Sequence, residues 1–151
     1  PLAEGPVPGR ECGSCTACCV VLPIQELHKP ARWSCDHLGR QGCQIYSARP
    51  SSCRAFHCLW LRGGLPPDLD WRPDRLGVMW DCFRGLQSGR EYWLACELWT
   101  GALESPVVRD LVERFSRDRR MELQYRDGRR CIVGPDVTAD RSPRDAGDDI
   151  S

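Results

Sequence analysis

Eight of the eleven cysteines in this 151-residue chain lie in one short stretch near its N-terminus. The first four spell C-x-x-C-x-x-C-C, a spacing that lets the backbone wrap its thiols around a small ion or cluster. Because Cys18 and Cys19 are adjacent, we expect their thiols to point in two different directions as ligands. The chemistry to consider is thiolate coordination of a metal. The candidate ligands are Cys12, Cys15, Cys18, Cys19, Cys35, Cys43, Cys53 and Cys58.

Disulfide bonds are the alternative use of so many cysteines, and they are typical of small secreted domains. Three features favour metal: the number of cysteines is odd, no export signal is visible, and C-x-x-C spacing is typical of metal sites. A reducing compartment favours the same choice, so we expect a cytoplasmic protein. No stretch approaches the roughly 18–20 apolar residues that span a bilayer, and no membrane partner is expected.

Two kinds of metal centre suit these thiols. Eight thiolates suffice for two tetrahedral zinc sites of four sulfurs each. An iron–sulfur cluster is the alternative, because ferredoxin-type motifs begin with the same C-x-x-C-x-x-C run. In those motifs the next cysteine lies several residues further on, whereas here Cys19 follows at once. We therefore expect zinc or iron as the cofactor, with an iron–sulfur cluster as one form of the iron centre.

Positive charge accompanies the cysteines, although the whole chain is formally neutral. Between Arg10 and Arg62 there are seven Arg or Lys residues against three Asp or Glu. Arginine donors beside thiolates would tune such a centre. A second basic group, from Arg117 to Arg130, is interspersed with acidic residues, which favours a solvated face. No nucleic-acid partner is expected.

The residues around the cysteines resemble a known family. The pattern resembles the CxxCxxCC family of zinc- or iron-chelating cysteine-cluster proteins (YkgJ-like), and flagellin lysine methylases carry a similar cluster. The resemblance implies that the eight cysteines are the metal-binding set, and it implies no particular reaction. The stretch between Cys19 and Cys35 departs from the family in being short. The matching segments are Cys12-Gly13-Ser14-Cys15-Thr16-Ala17-Cys18-Cys19, Cys35-Asp36-His37-Leu38, Cys43-Gln44-Ile45-Tyr46 and Arg49-Pro50-Ser51-Ser52-Cys53-Arg54-Ala55-Phe56-His57-Cys58, with a weaker match over Arg72 to Val78.

The sequence predicts that these residues are positioned by a small α+β domain, which is stabilised by metal and rich in irregular loops. The domain has few bulky apolar residues, so an added cross-link such as a bound metal would stabilise the fold. We expect a flexible N-terminus over 1–10, one cysteine-cluster domain over 11–137 and a disordered tail over 138–151. Within the domain, 11–62 is the metal-binding part, and 63–137 contains a hairpin, a helix and a second hairpin.

Local patterns predict the individual elements. Val20 to Leu22 predicts a short strand, and Ile24 to Lys29 one or two helical turns. Alternating apolar residues over 76–83 and 92–98 predict a hairpin. If its loop centres on Gly89, Cys82 lies opposite Cys96. We expect both thiols to be buried as small hydrophobic groups.

The C-terminal half has two further signals. Ser105-Pro106 predicts a helix start, and an apolar stripe continues to Phe115. A hairpin is predicted around Asp127-Gly128, with Cys131 as a packed thiol. Three tryptophans are expected to lie in the core. They are Trp80, Trp93 and Trp99.

Catalytic motifs are missing from the sequence: it has no G-x-S-x-G, no Gly-rich phosphate loop, no H-E-x-x-H and no dinucleotide fingerprint. His28 is interpreted as a surface residue. His37 and His57 lie inside the cysteine motif, as alternative ligands, as donors to a thiolate or as ordinary loop residues. We expect a metal-binding module rather than an enzyme, the alternative being an iron–sulfur protein with a redox or catalytic role.

Overall fold

The computed structural model describes residues 2–135, which form a small mixed fold of helices and two sheets. The predicted disordered tail, 138–151, lies outside the described residues. Among the described helices none is long and apolar enough to cross a membrane. The α-helices of this part are α1 (Ala17–Val21), α2 (Ser51–Ala55), α3 (Pro73–Leu76) and α4 (Pro106–Ser116). Its strands are β1 (Leu38–Gly39), β2 (Gly42–Cys43), β3 (Val78–Arg84), β4 (Glu91–Glu97), β5 (Met121–Gln124) and β6 (Arg130–Val133).

The larger sheet has the strand order β3-β4-β5-β6. Two antiparallel hairpins, β3 with β4 and β5 with β6, make its halves, as the sequence predicted. The halves join through a parallel pairing of β4 with β5, in register from Trp93 and Met121 to Cys96 and Gln124. Helix α4 lies in the connection between these two strands, as a parallel crossover requires. The sequence patterns predicted the two hairpins and the helix, but they did not predict the parallel pairing of β4 with β5.

The hydrophobic core includes the apolar face of α4 and the tryptophans of the sheet. Val108 and Leu111 of the helix are buried. The ring of Phe115 lies 5.5 Å from those of both Trp80 and Trp93, in edge-on and tilted arrangements. Trp80 and Trp93 are core residues as predicted. The prediction for Trp99 is wrong, since that side chain is 44% exposed.

The first hairpin is confirmed, but its register differs from the prediction. Cys82 pairs with Trp93, and Cys96 pairs with Met79, so the two thiols are not opposite each other. The pairing centres the turn between Gln87 and Ser88, not on Gly89. Side-chain alternation predicts the strands but leaves the loop length open.

The short strand predicted at Val20 to Leu22 is wrong, because this segment ends a helix. The amide of Leu22 donates a hydrogen bond to the carbonyl of Cys18 at 3.1 Å. Ala17 and Val21, one helical turn apart, are both buried. Tertiary burial of this face outweighs the strand preference of two adjacent valines.

The N-terminal segment, which we expected to be flexible, runs along residues 59–65. Ala3 and Val7 donate backbone hydrogen bonds to Arg62 and Leu61 at 3.2 and 2.8 Å. The guanidinium of Arg10 donates to the carbonyls of Trp60 and Leu65, both at 2.6 Å. These contacts tie the segment to the chain that follows the last predicted ligand.

Candidate metal centre

The cysteines of the N-terminal part surround a cavity of about 730 Å³. Separate stretches of chain form its wall, and together they bring seven of the eight predicted ligands to it. The eighth, Cys58, is buried in the hydrophobic core, and its thiol interacts electrostatically with that of Cys12. The structure therefore places seven of the eight predicted ligands on one cavity and the eighth in the core. The cysteines that line the cavity are Cys12, Cys15, Cys18, Cys19, Cys35, Cys43 and Cys53.

A tight turn and a short helix shape the first cysteine run. The amide of Cys15 donates to the carbonyl of Cys12 at 2.9 Å. Between them Gly13 has a φ of +54°, and a Cβ there would lie 2.8 Å from a guanidinium nitrogen of Arg72. Glycine therefore permits both the turn and the close approach of the arginine. Helix α1 follows and carries the adjacent cysteines, whose side chains diverge by about 100° around its axis.

Backbone hydrogen bonds bring the next two cysteines beside α1. The amide of Cys35 donates to the carbonyl of Cys19 at 3.0 Å. The carbonyl of Cys35 accepts from the amide of Leu38 at the same distance. Leu38 in turn pairs with Cys43 across β1 and β2. A continuous backbone path therefore links Cys19, Cys35 and Cys43.

Glu26 holds the helix that carries Cys53. Its carboxylate accepts hydrogen bonds from the Ser52 amide at 3.1 Å and from the hydroxyls of Ser51 and Ser52 at 3.0 and 2.6 Å. Helix α2 has no side-chain cap of its own, so Glu26 supplies one from another loop. The Ser52 hydroxyl is the main cause that lowers the pKa of Glu26 to about 2.

Cys58 connects the cavity to the large sheet. The amide of the next residue, Leu59, donates to the carbonyl of Trp80 in β3 at 2.8 Å. Leu59 is fully buried, and Cys58 is 8% exposed. The carbonyl of Cys58 accepts from the amide of Arg62 at 3.1 Å. The position of Cys58 is thus set by the core rather than by the loops.

Burial and neighbouring charges act in opposite directions on these thiols. Burial raises the pKa of Cys15 to about 11 and is also the largest cause of the raised pKa of Cys12. The guanidinium groups of Arg49 and Arg72 lower the pKa of Cys12, which favours its thiolate. Since a metal ligand must be a thiolate, these cations favour ligation.

The adjacent cysteines are coupled to each other. A hydrogen bond between their side chains raises the pKa of Cys18 and lowers that of Cys19. The direction makes Cys18 the donor and Cys19 the accepting thiolate. Lys29 and Arg49 add positive charge beside Cys19 and lower its pKa further.

No three His, Cys, Asp or Glu side chains within residues 2–135 already form a group that could hold a metal ion. The donors nevertheless suit zinc or iron by their chemistry, since thiolates are the ligands of structural zinc sites and of iron–sulfur clusters. All eleven cysteines are free of disulfide bonds, so the thiols needed for ligation are intact. Ligation therefore requires the thiols to come closer together than they lie in this structure.

The histidines of the motif lie in different places. His57 lines the cysteine cavity. His37 lines a second cavity of about 310 Å³, together with His28, Trp33 and Cys35. Of the two histidines considered as alternative ligands, His57 is therefore the one whose position suits that role.

The remaining cysteines are separate from the site. Cys82 and Cys96 are buried, and burial raises the pKa of each to about 12. Their prediction as packed thiols is confirmed. Cys131 is exposed, so its prediction as a packed thiol is wrong.

Arg72 is a site residue that the sequence patterns did not identify. It is 7% exposed, and its Nε donates to the carboxylate of Asp74 at 2.6 Å. The backbone amide of Asp74 in turn hydrogen-bonds the thiol of Cys15. Arg72 and Asp74 belong to the weaker family match at Arg72 to Val78, but nothing in that segment predicts its approach to the thiols.

Lys29 was also missed as a site residue. It is 8% exposed, and its ammonium donates to the carbonyls of Leu22 and Pro30. Burial lowers the pKa of Lys29, while the thiols of Cys35 and Cys19 oppose that shift. Lys29 is the only lysine of the chain, but that fact alone does not predict that its side chain is buried.

No family model, curated protein or solved structure matches this chain. The resemblance to the CxxCxxCC family therefore remains a prediction made from the residues.

Proposed function

We propose that this protein binds zinc or iron through its N-terminal cysteines. The observation that carries the proposal is the convergence of disulfide-free thiols from separate stretches of chain on one cavity. Burial of cysteines does not by itself bring them to one cavity. Cys82 and Cys96 are buried in the core and do not line the cavity. The proposed ligands are Cys12, Cys15, Cys18, Cys19, Cys35, Cys43, Cys53 and Cys58.

The surroundings of the thiols support the same function. Eight thiolates carry a large negative charge, which is costly in a partly buried site unless cations offset it. Lys29, Arg49 and Arg72 interact electrostatically with these thiols. Such neighbours would orient the ligands and tune the centre. Bound zinc would contribute folding free energy, and a bound iron–sulfur cluster would also carry electrons.

The proposed role is binding rather than catalysis. The chemically active side chains in the cavity wall are mainly thiols and arginines, which ligate metal and offset charge. An iron–sulfur protein with a redox or catalytic role is the second candidate, favoured by a cavity large enough for a polynuclear cluster. Because eleven free thiols persist best in a reducing compartment, we also propose a cytoplasmic location.

Nucleic acid is not among the proposed partners. In the basic segment near the C-terminus, Arg117 pairs with Glu113, Arg129 with Asp127, and Arg130 with Glu122. Arg119 lies over the Trp93 ring, 4.8 Å from its centroid. These contacts support a solvated, internally paired surface.

Metal analysis of protein purified without oxygen tests the proposal. We expect stoichiometric zinc in a colourless protein, or iron with inorganic sulfide in a brown one, measured by mass spectrometry of the metals and by visible absorption. Denatured protein should show eleven reactive thiols without added reductant. The C82S and C96S variants are controls and should retain the wild-type metal content. A chain that carries neither metal, and binds neither after reconstitution, contradicts the proposal.

A further inference from the structure

Contact with the hydrophobic core divides the eight cysteines into two sets of four. Cys58 belongs to the core, and three further cysteines pack against it. Those three are Cys12, Cys15 and Cys18. Among the described residues, the other four are outside this core: Cys19 lies on α1, Cys53 on α2, Cys43 in β2 and Cys35 in a loop.

The backbone supports the same division. The amide of Cys15 bonds the carbonyl of Cys12 within the first set. The amide of Cys35 bonds the carbonyl of Cys19, and Cys43 pairs with Leu38, within the second set. The boundary falls between Cys18 and Cys19, at successive positions of α1, where side chains diverge by about 100°. The two sets are neighbours, because the side chains of Cys18 and Cys19 are hydrogen-bonded to each other across this boundary.

Each set also has its own buried cation. Three charged residues are buried within the described chain, and two of them are Lys29 and Arg72. Arg72 interacts with Cys15 and Cys12 of the core-packed set. Lys29 interacts with Cys35, Cys19 and Cys53 of the set outside the core, and also with Cys18. The carboxylate of Asp74 already offsets the charge of Arg72. For Lys29 the offset would come from a four-thiolate centre, because a buried cation is costly without a nearby negative charge.

We propose that the eight cysteines form two separate four-thiolate metal centres. The inner centre uses Cys12, Cys15, Cys18 and Cys58 with Arg72 beside it, and the outer centre uses Cys19, Cys35, Cys43 and Cys53 with Lys29 beside it. This assignment rests on the proposed metal-binding function and adds the grouping of the ligands. The inner centre fastens the first cysteine run to the core, whereas the outer centre fastens α2, β2 and the loop at Cys35 to α1 through cysteines that lie outside the core. Loss of the outer metal therefore leaves the fold intact, whereas loss of the inner metal destabilises it.

Zinc stoichiometry of paired variants tests this grouping. Full-length wild-type protein, the C35S/C43S variant and the C12S/C58S variant are loaded with zinc sulfate and weighed by native mass spectrometry. We expect two zinc ions in wild type and one in each variant. The outer variant should keep a melting temperature close to that of wild type, and the inner variant should melt at a lower temperature.

Alkylation mapping identifies which thiols the remaining zinc protects. In zinc-loaded C35S/C43S, iodoacetamide should modify Cys19 and Cys53 and spare Cys15 and Cys18, with protection lost after zinc is removed. This readout holds even if C12S/C58S fails to fold. Wild type that binds no zinc and no iron contradicts the proposed function. Wild type that binds two ions while C35S/C43S loses both contradicts only the grouping, as does wild type that binds a single zinc ion.

Discussion

Lys29 is a buried cation that lies beside four cysteine thiols. It is 8% exposed, and the carbonyls of Leu22 and Pro30 satisfy only part of the hydrogen-bonding capacity of its ammonium group. Burial disfavours its charged form, while four nearby thiols favour it. The ammonium is therefore placed where thiolate charge would offset the cost of its burial.

A Lys29→Met variant should bind zinc more weakly at the outer centre. Removal of the cation leaves the thiolate charge of that centre less well compensated, and changes next to metal ligands typically cost about 10–100-fold in metal affinity. Competition with a chromogenic chelator measures the effect, and we expect one of the two zinc ions to be affected. Lys29→Arg should retain most of the affinity.

Arg40→Met is the matched control for that experiment, because Arg40 is an exposed cation in the same part of the chain. It should leave both affinities unchanged. Equal weakening of both zinc ions by Lys29→Met, or an equal effect of Arg40→Met, would show that Lys29 acts through overall charge and not at the outer centre.

Arg32 makes a further contact between the cysteine region and the large sheet, in addition to that of Leu59. Its guanidinium donates to the carbonyl of Glu97 at the end of β4 at 2.5 Å and to that of Gln124 at the end of β5 at 3.0 Å. Its backbone adopts a φ of +66°, a left-handed conformation that is unusual for a residue with a side chain. One arginine thus spans the parallel joint of the sheet and ties the loop before Cys35 to it.

An Arg32→Met variant should lower the free energy of unfolding by about 2–3 kcal/mol, because two partly buried carbonyls lose charged donors. Denaturant titration of the zinc-loaded protein measures this. Arg32→Lys should recover part of the loss, since a lysine has one donor group in place of the fork. Arg109→Met, which removes an exposed arginine from α4, should stay within about 0.5 kcal/mol of wild type. No difference between Arg32→Met and Arg109→Met would contradict this role.

The whole molecule combines two kinds of organisation. The C-terminal part has a four-stranded sheet, a covering helix and a buried carboxylate. That carboxylate, Glu97, accepts backbone hydrogen bonds from Gly101, Leu103 and Arg126 at 2.8, 3.3 and 2.9 Å. The N-terminal part has short helices and a hairpin whose strands are two residues long, so it has few regular backbone hydrogen bonds of its own. Metal ligation is the interaction that would compensate for this.

Removal of the metal should therefore unfold the two parts unequally. After complete chelation we expect amide hydrogens of α1, α2 and the β1–β2 hairpin to exchange rapidly, while those of β3 and β4 stay more protected. Hydrogen exchange with mass spectrometry measures the difference, and zinc addition should restore protection. Unchanged circular dichroism and melting temperature in fully metal-free protein would contradict a structural role for the metal.

The sequence alone was enough to predict the candidate ligands and most of the regular elements. Thiol spacing is a local property, so the candidate ligands could be named from residues 12–58. Hairpins and the helix at Pro106 follow from side-chain alternation and capping residues, which are also local. The α1 segment was wrong because burial of Ala17 and Val21 decided its conformation, and that burial depends on distant partners.

Tertiary structure alone decided how these parts meet. The parallel pairing of β4 with β5 joins strands separated by a helix, and no local pattern encodes that register. The two cysteine sets differ because Cys58 is anchored to β3 while Cys53 depends on Glu26 from another loop. The burial of Lys29 and Arg72 beside thiols has the same origin. Burial and charge compensation depend on all the residues that surround a side chain in space. Many of these are distant in sequence, so local sequence patterns do not predict them.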